Sequence, residues 1–547
     1  MIIALAQLNY HIGNFERNTA AVIEALHAAK AKGTDLIVFA ELAVGGYPAK
    51  DLLRSPAFLD RCEAAISEIA AHCVGIACII GAPVRNTTGK GKPLHNAALF
   101  IEAGRVKQTV HKGLLPDYDV FDEYRYFQPA DVFHCINYQH KKIALTICED
   151  LWNIASPPLY RKSPMDALAD EHPDIIINIA ASPFSYNHLN ARLDVLRTHA
   201  KTNRTPLLYL NQVGAHTDLI FDGRSIVISP TGKLIDMMTS FAEAINYYEM
   251  DDNGVTPLQQ ADAVHHPLDT PLIHQALLLG IRDYFKKSGF TKAVVGLSGG
   301  IDSAVVAALA CEALGPENVM SVLMPSVYSS DHSITDALKL VHNTGCHHEI
   351  IPIQHMAQAF EQGLGTAFDG LAPDVTEENI QARIRGTLLM AFSNKLGYIL
   401  LNTSNKSEAA VGYGTLYGDM AGALSIIGDV YKTQVYHLAN YLNRHQEIIP
   451  QHTIVKPPSA ELRPDQKDSD SLPDYELLDA VLFQYIENEK SATQIIALGF
   501  EEALVHRVIH LVDRAEFKRF QAPPALRVSS KAFGSGRAMP LVATYPL

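Results

Sequence analysis

The run Ala293-Val-Val-Gly296-Leu297 breaks into Ser298-Gly299-Gly300 and passes at once into the Ala-rich stretch Ile301-Asp302-Ser303-Ala-Val-Val-Ala-Ala-Leu-Ala310. Residues of these types in this order carry a strand into a helix through glycines. The glycines let successive backbone N–H groups converge, and the helix N-terminus adds its dipole, so the natural guest is an anion, phosphate above all. No Lys-Ser/Thr pair follows the glycines, so this is not a Walker A loop. A bare Gly-Gly would mean no more than a tight turn; the flanking strand and helix make it a cradle. A second set of residues lies earlier in the chain. Cys148 closes an apolar run and is followed by Glu149 and Asp150. A cysteine there is commonly a small core residue, and acidic neighbours disfavour its thiolate. As a nucleophile it therefore needs a dedicated base. Glu41, at the end of another strand-like run, is the candidate base. Lys112, in His111-Lys112-Gly-Leu-Leu-Pro, offers an ammonium for the oxyanion that forms when sulfur attacks an amide.

These residues must be positioned by two halves that differ in pattern. In the first, strand-like segments recur at 2–9, 35–39, 75–83, 97–101, 143–148, 175–179, 207–211 and 225–229, with helical periodicity at 14–30, 56–71 and 189–202. So many strands, only partly alternating with helices, predict two packed sheets covered by helices. In the second, helix 273–287 precedes strand 293–297, helix 302–314, strand 318–324, helix 333–343, strand 349–352, helix 377–396 and strand 398–401. That order predicts a doubly wound parallel sheet binding its ligand beyond the carboxyl ends of the strands, where the glycine turn lies. Residues 250–268 break all periodicity with Asp, Asn, Gly and Pro and read as a linker. The polar, Pro-containing stretch 459–475 reads as a mobile loop, a candidate lid over phosphate chemistry.

At 547 residues the chain has room for two full cores. Its 48% apolar and 19% charged residues are those of a globular protein. A net charge of -14 argues against a general nucleic-acid binder. Seven scattered cysteines without a CxxC pair suit a reducing compartment and speak against a zinc or disulfide framework. The start of the chain alternates like a strand and lacks the features of a signal peptide, and no apolar run is long enough for a membrane span. The expectation is a cytoplasmic enzyme with no membrane and no nucleic-acid partner.

Several blocks resemble known families. The Ser298–Ser303 turn resembles the SGGxDS loop of the PP-loop ATP pyrophosphatases, which cut ATP between its α and β phosphates; Asp302 is then placed to hold a magnesium ion bridging them. The blocks around Glu41, Lys112 and Cys148 resemble, in order and context, the Glu-Lys-Cys triad of the nitrilase superfamily. Phe121-Asp-Glu123-Tyr-Arg-Tyr-Phe127 resembles that family's block with a second glutamate, which implies that Glu123 orients Lys112. The resemblance implies an α-β-β-α sandwich, and Tyr118, Ser182 and His188 as glutamine ligands. The relatives usually carry Gly-Lys where this chain has Asn187-His188, and Arg192, one turn on, is the alternative holder of the substrate carboxylate.

In the second half, Glu378–Arg385, Leu401–Glu408, Gly412–Asp419, Gly428–Gln434, Lys456–Leu462 and Lys531–Gly534 resemble the glutamine-dependent NAD synthetase family. The resemblance runs over nearly the whole chain and implies a nitrilase-like amidohydrolase domain at 1–255 and a PP-loop synthetase domain at 265–547. It implies that Gly296, Leu297, Ser298, Gly299, Gly300, Ile301, Asp302, Ser303 and Thr403 hold ATP. Asn379, Glu408 and Lys531 would hold deamido-NAD, Asp302 and Glu408 would hold Mg²⁺, and the chain would form a homodimer or larger assembly. The implied reaction activates a carboxylate with ATP and aminates it with ammonia from glutamine. Because ammonium has no lone pair for attack, a closed passage between the two sites is expected. Two rival readings are a tRNA-modifying PP-loop enzyme and a scaffold with a decayed amidase half. The acidic charge weighs against the first and the intact Glu-Lys-Cys trio against the second.

Overall fold

The computed structural model describes residues 1–252, 254–259, 269–464 and 466–544. It divides into two units, Met1–Pro267 and Leu268–Leu547.

The first unit opens with β1 (Ile2–Gln7), α1 (Phe15–Ala31), β2 (Leu36–Val38), α2 (Pro56–His72) and β3 (Ala77–Arg85). It continues through β4 (Leu94–Glu102), β5 (Arg105–His111), β6 (Ile136–Tyr138), β7 (Lys141–Ile147), α3 (Pro164–Ala169) and β8 (Ile175–Ala180). After α4 (Leu189–Asn203) come β9 (Leu207–Asn211), β10 (Val213–His216), β11 (Leu219–Asp222), β12 (Ile226–Ile228), β13 (Leu234–Met237), β14 (Ala244–Asp251) and β15 (Gly254–Pro257). Two sheets form, ordered β15-β14-β1-β2-β3-β4-β5 and β13-β12-β9-β8-β7-β6, with β10 and β11 as a separate ribbon. The pleat sorts the side chains of β1: Ile3 and Leu5 pack with Leu145 and Ile177 between the sheets, while Ala4 and Ala6 pack with Val22 and Leu26 under α1. This is the expected α-β-β-α sandwich.

One boundary differs. The segment read as linker from residue 250 begins inside β14, and Gly254–Pro257 forms an edge strand paired antiparallel with it. The Gly and Pro there mark a hairpin and a sheet edge, where proline's missing N–H does no harm. The remainder, 260–268, lies outside the described residues.

The second unit runs α5 (Asp269–Ser288), β16 (Ala293–Gly296), α6 (Ile301–Leu314), β17 (Val319–Leu323), α7 (Asp331–Thr344), β18 (His347–Ile350), α8 (Gln354–Leu364), α9 (Val375–Leu396) and β19 (Ile399–Asn402). Then follow α10 (Lys406–Val411), β20 (Leu424–Ser425), α11 (Lys432–Leu442), α12 (Gln451–Val455), α13 (Tyr475–Leu482), α14 (Ala492–Ile496), α15 (Glu502–Arg514) and α16 (Glu516–Arg519). All strand pairs are parallel, in the order β18-β17-β16-β19-β20. The chain winds outward from β16 in both directions, so the crevice between the ends of β16 and β19 is where a ligand belongs. A second apolar cluster gathers residues of α13, α14 and α15, including Leu478, Ile495 and Val508.

Candidate active sites

In the first unit, Glu41 sits in the turn beyond β2 because that turn lies against β3 at Gly81. A Cβ on Gly81 would stand 2.3 Å from the Leu42 nitrogen and 2.6 Å from Glu41 Cα. Glu41 Oε1 accepts from Lys112 Nζ and Asn96 Nδ2, both at 2.7 Å, and Oε2 accepts from the Ala181 N–H at 2.9 Å. Lys112, just past β5 and fully buried, also donates to both oxygens of Glu123 at 2.9 Å. Burial alone would lower its proton affinity, but Glu123 and Glu41 outweigh that and hold the ammonium well above its ordinary value. Burial pushes the Glu123 carboxyl up to about 7 against the pull of Lys112.

Cys148 follows β7 and starts a 3-10 turn with φ of 43°, a strained setting for a residue with a side chain. Burial, then the charge of Glu41, raises its thiol well above the ordinary range, with Lys112 opposing. The carboxylate of Asp150 ties this turn to the lysine: it accepts from Gly113 N and Leu114 N at 2.9 Å and from Ile147 N at 3.0 Å. Burial nevertheless pushes its carboxyl up to about 6, against those backbone bonds. Glu149 accepts from the hydroxyls of Tyr118 and Tyr160 at 3.0 Å, and Tyr118 stays 42% exposed. The Ser182 N–H donates to Asn211 Oδ1 at 2.9 Å, and His188 stacks on Trp152 with ring centroids 5.1 Å apart. Arg192, the alternative carboxylate holder, is buried in an ion pair with Asp222 at 3.2 Å, so its charge is already answered.

In the second unit the glycine turn leaves β16 and enters α6. Gly299 has φ of 81°, and a Cβ there would stand 2.3 Å from the Ser333 carbonyl oxygen, so glycine is required. Ser303 Oγ accepts from Ser298 N at 3.2 Å and donates to Gly300 O at 3.1 Å, so its hydroxyl holds the loop's own shape. Gly296, Leu297, Ser298, Gly300, Ile301 and Thr403 line a cavity of about 890 Å³, whereas Gly299, Asp302 and Ser303 do not line it. Arg385 also lines it; its guanidinium donates to Met324 O at 3.1 Å and is pushed down to about 10 by burial.

Asp302 and Glu408 meet at one ammonium, Lys432 Nζ, at 2.5 and 3.3 Å. Asn405, the cap of α10, donates to Asp302 at 2.9 Å. Burial and the charge of Asp302 push Glu408 up to about 8, against Lys432. Two hard carboxylates converging on one positive charge fit a divalent cation. Among the described residues no group of three or more His, Cys, Asp or Glu side chains does so, so further ligands would come from phosphate or water. Asn379 accepts from Thr415 Oγ1 at 2.7 Å and Lys531 pairs with Glu489 at 2.6 Å; neither they nor Glu408 line the cavity.

Residue 465 aside, which lies outside the described residues, the stretch 459–474 is irregular but for a 3-10 turn at Asp468–Asp470, and part of it lines the cavity. Ser459, Leu462 and Lys467 line the cavity, and Glu461 accepts from Ser330 Oγ and Ser333 Oγ at 2.7 Å. Asp468 is buried under Tyr413 and Tyr475, and Leu472 is buried in the helical cluster. Its polarity serves the cavity and these anchors. Sequence reasoning gave no role to Asn96, Asp150, Lys432 or Arg385. For Asn96 a signal existed, a lone amide in the apolar run Leu94-His-Asn-Ala-Ala-Leu-Phe100; for Lys432 there was none beyond its block.

Comparison with known proteins agrees with this geometry. The carbon-nitrogen hydrolase family model matches residues 2–260 and the NAD synthase model residues 273–522. A carbon-nitrogen hydrolase joined to an NAD synthase makes an ATP-dependent carbon–nitrogen ligase with its own amide-cleaving half. The chain is 46% identical to a glutamine-dependent NAD(+) synthetase of Synechocystis sp., over 99% of each chain. It is 41% identical to that of Acinetobacter baylyi, over 99% of this chain and 98% of the relative. A solved glutamine-dependent NAD+ synthetase from Acinetobacter baumannii, in complex with adenosine diphosphate, superposes with a TM-score of 0.78 at 38% identity, covering 99% of this chain and 98% of that one. The chain belongs to the glutamine-dependent NAD+ synthetase family.

Proposed function

We propose that the first unit, the amidohydrolase domain, hydrolyses glutamine and that the second, the synthetase domain, uses the ammonia to convert ATP-activated deamido-NAD into NAD, releasing AMP and diphosphate. The observation that carries this reading is Lys112: an ammonium without solvent contact, held by two carboxylates beside a strained cysteine. Buried ion clusters of this kind are poor stabilisers, so a core built for stability alone has no use for one.

Because the Cys148 thiol is held protonated, its proton leaves as sulfur attacks the glutamine amide, and Glu41 takes it. Lys112 faces the oxyanion of the tetrahedral intermediate. Glu41 then delivers the proton to the departing ammonia and afterwards draws one from the water that hydrolyses the glutamyl thioester. Glu123 holds Lys112 in place. Glu149, beneath Tyr118 and Tyr160, offers its charge to the substrate α-ammonium, and Ser182 and His188 receive its carboxylate.

In the second unit the N–H groups between Gly296 and Ser303, with Thr403, cradle ATP. The nicotinate carboxylate attacks the α-phosphorus, diphosphate leaves, and ammonia displaces AMP from the acyl-adenylate. Asn379, Glu408 and Lys531 hold the dinucleotide. Asp302 and Glu408 would hold Mg²⁺, which when bound neutralises phosphate charge. The α8 helix has no buried residue and leaves Phe360 51% exposed, and Val375, Met390 and Leu396 of α9 are exposed as well, which supports a homodimer or larger assembly. Seven free cysteines support a cytoplasmic setting.

The test is to incubate the purified chain with deamido-NAD, ATP, Mg²⁺ and glutamine and to quantify NAD, AMP and diphosphate. Equal yields of all three support the reading. Glutamate release without NAD would keep the amidase half and reject the acceptor.

A further inference from the structure

Lys406 is the first residue of α10 and is buried completely. Its Nζ lies 2.9 Å from Glu487 Oε1 and 3.0 Å from Asp429 Oδ1, and the ring of Tyr431 lies 4.7 Å away. The same nitrogen donates to Ser529 Oγ at 2.7 Å and to the Lys531 carbonyl at 2.9 Å. Asp429 in turn accepts from Val528 N at 2.8 Å, Ser529 N at 2.7 Å and Ser529 Oγ at 2.8 Å, and Glu487 accepts from Ser530 Oγ at 2.6 Å. Every partner on the C-terminal side belongs to residues 528–531, a segment without strand or helix of its own.

A cage of one cation and two carboxylates, closed from water, is a costly way to hold a core together. It is a good way to fix register, because each bond has one geometry and none can be exchanged for water. The register it fixes has two ends. One is the start of α10, where Asn405 bonds Asp302 and Glu408 lies two residues after Lys406. The other is the backbone of Lys531. We infer that Lys406 is a positioning residue for the dinucleotide site: it sets the C-terminal segment against α10, so that Lys531 and Glu408 are presented together. The inference rests on the reading that Glu408 and Lys531 bind deamido-NAD.

The test measures NAD formation with ammonium chloride as nitrogen donor, so that the first unit is bypassed. Lys406→Met, Ser529→Ala, the double variant Lys406→Met/Glu487→Gln and Lys531→Ala are compared with the unaltered chain. Lys406→Met leaves two buried carboxylates unanswered and lowers the melting temperature; the double variant restores the net charge of the cage without restoring the tether. A positioning role predicts that KM for deamido-NAD rises about tenfold in Ser529→Ala and in the double variant, the cost of a displacement well below 1 Å. KM for ATP stays within about twofold, because α10 keeps its own bonds, Asn405 to Asp302 and Lys432 to Glu408, and only the C-terminal segment is released; uniform damage would move both. The inference is overturned if the double variant recovers both melting temperature and KM, or if both KM values rise together. If Lys531→Ala leaves KM for deamido-NAD unchanged, the reading of Lys531 fails and the inference falls with it. That outcome is distinct from failure of the tether alone, in which Lys531→Ala acts and the cage variants do not.

Discussion

Gly81→Ala asks whether the register of β3 sets the position of the candidate base. The added methyl would stand 2.3 Å from the Leu42 nitrogen, 2.6 Å from the Ala40 carbonyl oxygen and 2.6 Å from Glu41 Cα, all backbone. An ordinary contact begins at 3.4 Å, so strand and turn must separate by about 1 Å. The hydrogen bond from Gly81 N to Ala40 O, 3.1 Å long, opens with them. Overpacking of this kind costs about 1–3 kcal/mol of stability. Moving a proton acceptor by about 1 Å costs roughly 100-fold in rate. The expected result is a folded protein with a lower melting temperature, glutamate release down about 100-fold, and ammonia-driven NAD formation unchanged. Glutaminase activity within about threefold of the unaltered chain would refute the argument, because so small a loss does not fit a displacement on that scale.

Other perturbations follow from the same geometry. Lys112→Met leaves Glu41 and Glu123 buried and unpaired, so it should abolish glutamate release and destabilise by about 3–5 kcal/mol, read by urea unfolding. The folded-state proton affinity of Glu123 is raised, from 4.5 to about 7, so folding takes up a proton between those values and stability falls as pH rises through them. Glu123→Gln should flatten that part of the stability–pH curve, measured from pH 5 to 7.5. Gly299→Ala forces a methyl onto the Ser333 carbonyl and should raise KM for ATP at least about tenfold while glutamine hydrolysis continues. Chelation with EDTA should stop NAD formation and spare glutamate release, since the metal reading involves the second unit alone.

What could be read from the chain was what local sequence controls. A β-branched run, two glycines and an Ala-rich helix announce the anion cradle before any packing is known. Glu41, Lys112 and Cys148 each follow a strand-like run, which is where the structure holds them. What could not be read is whatever one residue does for another far away. Asp150 looks like the second of two acidic residues, yet it serves the backbone at 113 and 114. Lys432 lies 130 residues from Asp302. The polar stretch 459–474 is irregular as expected, but composition does not distinguish water from the wall of a ligand cavity, so the bonds of Glu461 to Ser330 and Ser333 were not legible. Gly254 and Pro257 read as linker because hairpins and linkers use the same residues, and the structure makes them an edge strand.

The first site draws its parts from two sheets. Glu41 and Lys112 come from the ends of β2 and β5 in the seven-stranded sheet. Cys148 and the Ala181 N–H come from the ends of β7 and β8 in the six-stranded one. The spacing between base and nucleophile is therefore set by the side chains stacked between those sheets, Leu5, Val38, Leu145 and Ile177 among them. Turnover then becomes a gauge of that apolar filling: trimming a methyl group there shifts one sheet toward the other and is felt at the sulfur before unfolding is.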